Sequence, residues 1–246
     1  MRKWGLALNL LLDCPAMGRL IDRERREAAR QAKDERIQRI RAEAIRLFAT
    51  LPFVEVTLDA IGQRAGVKPG VSSMYFGSKE ALFLLLLRDE LDLWYGAALD
   101  ALAAPKARRS DAALARLLAE GLTGRKLLCR LLCLAPIVLE QTAEIVEADR
   151  FQRWQHGRMA EVGRAIESRG RGLGPGAGLR LLLRLQLAAA AAHPFADPRG
   201  SLAVNIHDPN FTDFRIDLAA ELELVALSAL GAARRERRSP GARVGS

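Results

Sequence analysis

The chain is poor in the residues from which most reactive sites are built. It has three cysteines and three histidines in 246 residues. Three cysteines make no disulfide framework. Cys129 and Cys133 stand four apart on one face of an expected helix. Held side by side on a rigid rod, they read as small buried hydrophobes rather than a bridge. A redox-sensing pair would want a cationic neighbour common to both, and Arg130 is the one at hand. His156, His193 and His207 are scattered, and no HExxH, CxxC or glycine-rich phosphate loop after a strand occurs. The run RGRGLGPG has closely spaced glycines but no preceding strand and no Lys-Ser/Thr end. Glu144 and Glu147 fall on an amphipathic stretch, where a solvated face is their expected role. These absences argue against an enzyme. No catalytic residue, no metal ligand set and no cofactor is expected.

Long apolar runs are also missing. Residues 1–16 begin like a secretion signal, with Arg2 and Lys3 before an apolar run at 4–12. That run is too short to span a bilayer. Cys14 follows Asp13, where a lipoprotein cleavage site wants a small neutral residue. Met17 opens a second, ordinary start, MGRLIDRERREAARQAKDE. No stable membrane anchor is expected, and a cytoplasmic location is. Aromatic residues make up 5% of the chain and β-branched ones are sparse, while Ala, Leu and Arg dominate. That balance favours helices over strands. Half the residues are hydrophobic, enough for a sizeable core. The formal charge of +9 points toward a polyanion, either nucleic acid or an acidic membrane surface.

One stretch organises the rest: residues 57–79, TLDAIGQRAGVKPGVSSMYFGSK. It reads as two short helices and a tight turn. Thr57 is placed to cap the first helix, and Leu58, Ile61 and Ala65 recur at helical spacing. Gly66 should end that helix in a left-handed conformation. Pro69 is expected to open the second, where a missing N–H costs nothing. Val71, Tyr75 and Phe76 follow, Gly77 closes it, and Ser78 precedes a long apolar helix.

The run Phe48-Ala49, Phe53, Val56-Thr57-Leu58, Ile61, Ala65-Gly66-Val67, Tyr75-Phe76 and Gly77-Ser78-Lys79-Glu80-Ala81-Leu82 resembles the N-terminal domain of TetR-family transcriptional regulators. The resemblance implies an all-α protein, with a three-helix DNA-binding head and a body of about six helices. It implies a dimer held by the last two helices of each copy and a small-molecule effector bound among the middle ones. The chain departs from the family at Pro52, where glycine is usual, and at Ser73, where many members carry a phosphate-binding tyrosine.

The domains follow. Residues 1–33 are expected to be a basic, flexible extension, in which Arg25, Arg26, Arg30 and Lys33 could lie along DNA or form a solvated, partly helical arm. Residues 34–79 form the helix-turn-helix domain, opening with the stripe Ile37, Ile40, Ala44, Leu47 and Phe48. Residues 80–233 form the effector-binding and dimerisation domain, and 234–246 a disordered basic tail. Within the body, 79–102 reads as a buried helix, 106–110 as a basic loop, and Ser110-Asp111 as the next start, with Leu114, Leu117, Leu118 and Leu122. Residues 127–138 carry Pro136 as a kink or stop, 139–168 form a long helix or bent pair, and 169–178 a turn. Helices at 179–192, ended by His193-Pro194, and at 214–233, with Leu218, Leu222, Val225 and Leu230, suit the dimer interface and read much the same as the core of a single chain. Trp94, Phe151, Trp154 and Met159 read equally as cavity lining and as core.

By the resemblance, the exposed face of 68–75 meets the bases of a semi-palindromic operator. Lys68, Pro69, Gly70, Ser72 and Ser73 lie there, and Val71 can touch a thymine methyl. Thr57, Tyr75 and Lys79 would hold phosphates. No carboxylate occurs at 60–79 to repel them. The expected function is a dimeric, sequence-specific repressor released by a small-molecule effector. The rival is a membrane-attached or helix-binding interaction protein that keeps the fold and has lost specific DNA reading.

Overall fold

The computed structural model describes residues 15–104, 110–141, 145–204 and 208–238. The apolar run at 4–12, Cys14, residues 106–109, Glu144, His207 and the tail 239–246 lie outside them. The chain is all-α. It divides into two compact units, Met1–Lys79 and Glu80–Ser246.

The first unit holds α1 (Pro15–Thr50), a 3-10 turn (Phe53–Glu55), α2 (Leu58–Arg64) and α3 (Val71–Phe76). Helix α1 is unbroken over 36 residues. The sequence reading starts an amphipathic helix near 37 and a flexible, at most partly helical arm before it, because 19–36 offer little apolar periodicity. The structure shows helix there with every turn exposed to water. Alternating charge at helical spacing supports such a segment, as in the Arg23–Glu27 pair at 2.8 Å. The buried side begins at Ile40 and runs through Ala44, Leu47 and Phe48, joined by Val56, Ile61 and Ala65. The helix ends at Thr50, before Pro52.

The second unit holds α4 (Lys79–Ala103), α5 (Asp111–Thr123), α6 (Lys126–Gln141), α7 (Ile145–Arg169), α8 (Ala177–Ala196) and α9 (Leu218–Arg238). Helix α8 is central, packing on α6, α7 and α9. Ser110 caps α5, its Oγ accepting from the Ala113 N–H at 3.2 Å. Neither Pro136, read as a kink or stop, nor Pro194, read as a stop, ends its helix. Pro136 lies inside α6, between the buried Leu132 and Val138. Pro194 lies inside α8, and the Asp197 N–H to His193 carbonyl bond, 2.9 Å, carries the last turn past it. Nor does α9 end at 233. Arg234 pairs with Asp111 and Arg237 donates to the Leu173 carbonyl at 3.2 Å, which holds the helix to Arg238. Among the described residues, no helix is long and apolar enough to cross a membrane.

Cys129 and Cys133 are free thiols, pushed by burial up to about 12 and about 11. Redox-reactive thiols sit in environments that lower this value, so the pair behaves as packing.

The tightest packing in this unit is backbone on backbone. A Cβ at Gly178 would stand 2.2 Å from the Gly163 carbonyl oxygen, and one at Gly163 would stand 2.7 Å from the Leu179 nitrogen. Helices α7 and α8 therefore touch where neither has a side chain. Glu167 accepts from the Gly178 N–H at 3.0 Å, closing the first turn of α8. Neither backbone can move aside cheaply, so Gly178→Ala should destabilise the protein by about 1–3 kcal/mol, the range for overpacking. Urea unfolding checks this, and an unchanged midpoint would refute the contact.

Candidate nucleic-acid interface

Thr57 starts the motif as its sequence suggests. Its backbone is extended, φ −124° and ψ 152°, and its Oγ accepts from the Ala60 N–H at 3.1 Å. Helix α2 then lasts seven residues. Gly66 ends it with φ +66°. The Val67 N–H reaches the Gly62 carbonyl at 3.1 Å and the Gly66 N–H reaches Gln63 at 3.2 Å. This pair of bonds is the Schellman closure, which a glycine makes without strain.

Pro69 does not open α3. It is the first corner of a turn from Lys68 to Val71, whose Val71 N–H bonds the Lys68 carbonyl at 3.2 Å. Gly70 is the second corner, at φ +80° and ψ −13°. Proline then glycine with a positive φ makes a type II turn. Gly70, not Pro69, is the N-cap, and α3 starts at Val71. Gly77 closes it with φ +72°, its N–H on the Ser73 carbonyl at 2.8 Å.

Around this frame, Thr57, Lys68, Pro69, Gly70 and Ser73 are exposed, while Val71, Tyr75 and Lys79 are half-buried. Ser72 is not on the reading face. It is 3% exposed and turned toward α2, where a Cβ on Gly62 would stand 2.7 Å from its Oγ. A serine here is a small packing residue that lets α2 and α3 approach. Met74, by contrast, is 70% exposed. Residue type alone does not disclose this, because an apolar side chain beside Tyr75 and Phe76 is as compatible with a core as with a surface. The step from Val71 to Met74 is the signal that would have found it, since three residues on a helix share a face.

Two cations take positions that the sequence does not disclose. Lys79 Nζ donates to the Phe53 carbonyl at 3.0 Å and sits 4.4 Å from the centre of the Phe53 ring. It ties the 3-10 turn to the end of the motif. Lys33 Nζ lies 5.9 Å from the centre of the Tyr75 ring, so α1 runs beside α3 at that point.

Comparison with known proteins decides what this geometry belongs to. Residues 40–86 match the family of bacterial regulatory proteins of the tetR family, and residues 88–235 match the tetracyclin repressor-like C-terminal domain. The chain belongs to the TetR family. It is a DNA-binding transcriptional regulator and not an enzyme. Among solved structures it is similar to the fatty acid degradation regulator FadR from Bacillus halodurans. That match has 14% identity and a TM-score of 0.53, and covers 81% of this chain and 96% of the other. At that identity the likeness is one of fold. No curated protein matches the chain.

The middle helices of the second unit enclose a buried polar centre. Gln186, 5% exposed, donates to the Tyr95 hydroxyl at 3.1 Å and accepts from Gln155 at 2.8 Å. Burial pushes the Tyr95 phenol well above its ordinary value. Trp94 lies 5.3 Å from Tyr95, and Trp154 stacks between Tyr95 at 6.4 Å and Phe151 at 5.8 Å, centre to centre. Trp94, Phe151 and Met159 are buried, and Trp154 is half-exposed under the Arg88 guanidinium. Sequence reasoning finds the aromatics but not Gln186 and Gln155, whose amides look like surface residues until the helices are packed.

The Ser72–Gly62 contact makes a specific coupling. Gly62→Ala gains helix propensity of about 0.5–1 kcal/mol, offset in the wild type because the serine hydroxyl must swing away. In a Ser72→Ala background that obstacle is gone. A double-mutant cycle by thermal unfolding should therefore give a coupling of about 1 kcal/mol, and additivity would show that the helices do not meet there.

Proposed function

We propose that the protein is a dimeric, sequence-specific repressor that a small-molecule effector releases from a semi-palindromic operator. The observation that carries the DNA reading is the exposed surface of 68–70, Ser73 and Met74, in a stretch from 60 to 79 with no carboxylate. On this reading Ser73 and Met74 meet base edges, the methionine against a thymine methyl, and Val71 packs at the edge of the same face. Lys68 and the Tyr75 hydroxyl hold phosphates. The Thr57 hydroxyl still has its own proton to donate after capping α2. Lys79 contributes through the N–H groups not bonded to Phe53.

A selection of duplexes from a random library tests the specificity, and enrichment of a two-fold sequence is the expected result. Lys68→Ala should weaken binding to all duplexes alike and lower the slope of log affinity against log salt by about 1 per contact. Met74→Ala should alter the preferred bases. If both variants select what the wild type selects with the same salt slope, the assignment of this face fails.

The dimer reading rests on apolar side chains at the surface of α8 and α9. Leu183, Leu187 and Phe195 on α8 are exposed, Leu187 by 62%, as is Leu224 on α9. The stripe named from the sequence is only partly available, because Leu222 and Leu230 are buried inside the same chain. Two copies joined through α8 and α9 would present two α3 helices about 34 Å apart, one DNA turn. Leu187→Glu places a charge in that face and should convert the dimer to a monomer in light scattering, with operator affinity reduced at least tenfold. A Leu187→Glu protein that stays dimeric would remove this interface.

Effector control rests on the cluster of Gln186, Tyr95 and Gln155. A ligand with hydrogen-bonding groups can exchange for these bonds, and apolar walls from Trp94, Trp154 and Phe151 would hold the rest of it. Such exchange shifts a regulator only if the ligand binds one arrangement of the helices better than the other.

A further inference from the structure

Resting on the DNA-binding reading of this fold, we propose that residues 23–33 of α1 form a second DNA-contacting surface. It is a basic stripe that grips the phosphate backbone outside the bases read by α3.

The stripe is defined by spacing. Arg23, Arg26, Arg30 and Lys33 follow one another at steps of three and four, and the same steps continue through Ile37, Ile40, Ala44 and Leu47. Residues so spaced share one face of a helix. From Ile40 onward that face is buried, with Ile40 and Ala44 fully enclosed. Before it, the four cations are exposed. One face of one helix therefore changes from apolar to basic where the core of the head ends.

The middle of the stripe carries no acid. Glu24 and Glu35 fall off it, and Asp22, Glu27 and Asp34 lie along its margins. Glu27 reaches Arg23 at 2.8 Å, but both ends are open to water, where such a pair is weak and readily exchanged.

The stripe also has a direction. Lys33, its last member, places Nζ 5.9 Å from the centre of the Tyr75 ring on α3. The basic face therefore looks to the side on which α3 stands. From 23 to 33 the helix rises about 15 Å. Duplex DNA carries one charge for about each 1.7 Å of its axis, so a helix of that reach faces several phosphates.

DNA is favoured over a lipid surface by what the segment lacks. Between 22 and 36 the apolar residues are Ala28, Ala29 and Ala32. A helix that lies in a bilayer interface needs large apolar side chains to insert. The long, flexible cations with no short polar residues among them suit phosphates rather than base edges.

The test uses the full chain and a random-sequence 40-bp duplex, so that it does not depend on operator preference. The fourfold variant Arg23→Gln, Arg26→Gln, Arg30→Gln and Lys33→Gln keeps good helix formers throughout. Its slope of log affinity against log salt should fall by about 3.6 per protomer, at about 0.9 for each of the four contacts, and low-salt affinity should fall more than tenfold. Replacing the three arginines by lysine should leave the slope as it is. An unchanged slope in the glutamine variant overturns the proposal. So does an equal loss per charge from Arg25→Gln, Arg36→Gln and Arg39→Gln, which lie off the stripe and report net charge alone. Loss of wild-type binding to phosphatidylglycerol vesicles, with the DNA slope intact, would assign the stripe to membranes and overturn it as well. If circular dichroism shows that the fourfold variant has lost helix, Arg26→Gln and Arg30→Gln singly decide, each lowering the slope by about 1 or refuting the contact. Sequence preference, read from the Lys68 and Met74 variants, stands or falls separately from any of these results.

Discussion

A helix of six residues has no stability of its own. Nucleating one costs more than so few hydrogen bonds return, so α3 exists only because its surroundings impose it. Gly70 opens it in a left-handed conformation and Gly77 closes it in another. Ser72 pins its inner face against Gly62 of α2, and the Schellman closure at Gly66 fixes the angle at which the chain leaves α2. Lys79 then ties the end of the motif to Phe53, behind the first helix of the pair. Each of these features serves the same requirement. The side chains that face outward, Ser73 and Met74, are too short or too flexible to position themselves, and the backbone must do it for them.

The body meets a similar requirement by a different route. Helix α8 is surrounded by three other helices, and at Gly163 and Gly178 it meets α7 backbone to backbone. That brings its inner face close enough for Gln186 to share bonds with Tyr95 and Gln155 across three helices. One residue further along, Leu187 points to solvent. A buried, hydrogen-bonded amide and an apolar residue proposed to meet a second copy are therefore neighbours on one rigid element. On the proposed reading, a ligand that alters the bonding of Gln186 would act directly on the helix of the dimer interface.

What could be read in advance was whatever local chemistry alone determines. Thr57 caps, Gly66 and Gly77 end helices and Ser110 starts one, because each acts within a few residues of itself. Features set by packing could not be read that way. Ser72 is polar by type and buried by position. Met74 is apolar by type and exposed. Pro136 and Pro194 are breakers by propensity, and the flanking burial of their helices overrides them. The α9 stripe of Leu222 and Leu230 looked like an interface between copies, but it is the interface with the rest of the same chain. Helix α1 was underestimated for the opposite reason. Its first half has no apolar side to detect, and its regularity lies in the spacing of its charges. The motif residues, being few and mostly local in their effects, gave the family away, whereas the roles of individual side chains on that motif depended on contacts no pattern records.

The composition of the reading face has a physical consequence for how the protein holds DNA. Discrimination between bases is strongest where arginine, asparagine or glutamine makes two hydrogen bonds to one base edge. Residues 71–76 contain none of these, and Ser73 and Met74 provide one hydroxyl and one apolar contact. On the proposed reading each half-site offers modest selectivity, so the two-fold repetition of a dimer would carry more of the specificity than either helix does. Affinity has to come from phosphates, and the tyrosine that many relatives use at this point of the helix is here Ser73. The proposed stripe of four cations on the helix beside Tyr75 would supply phosphate contacts of another kind, ionic and without sequence information. Such a regulator would bind DNA with a steep dependence on salt. As the proposed dimer, it would separate its operator from other sequences mainly through the two-fold repeat of its half-sites.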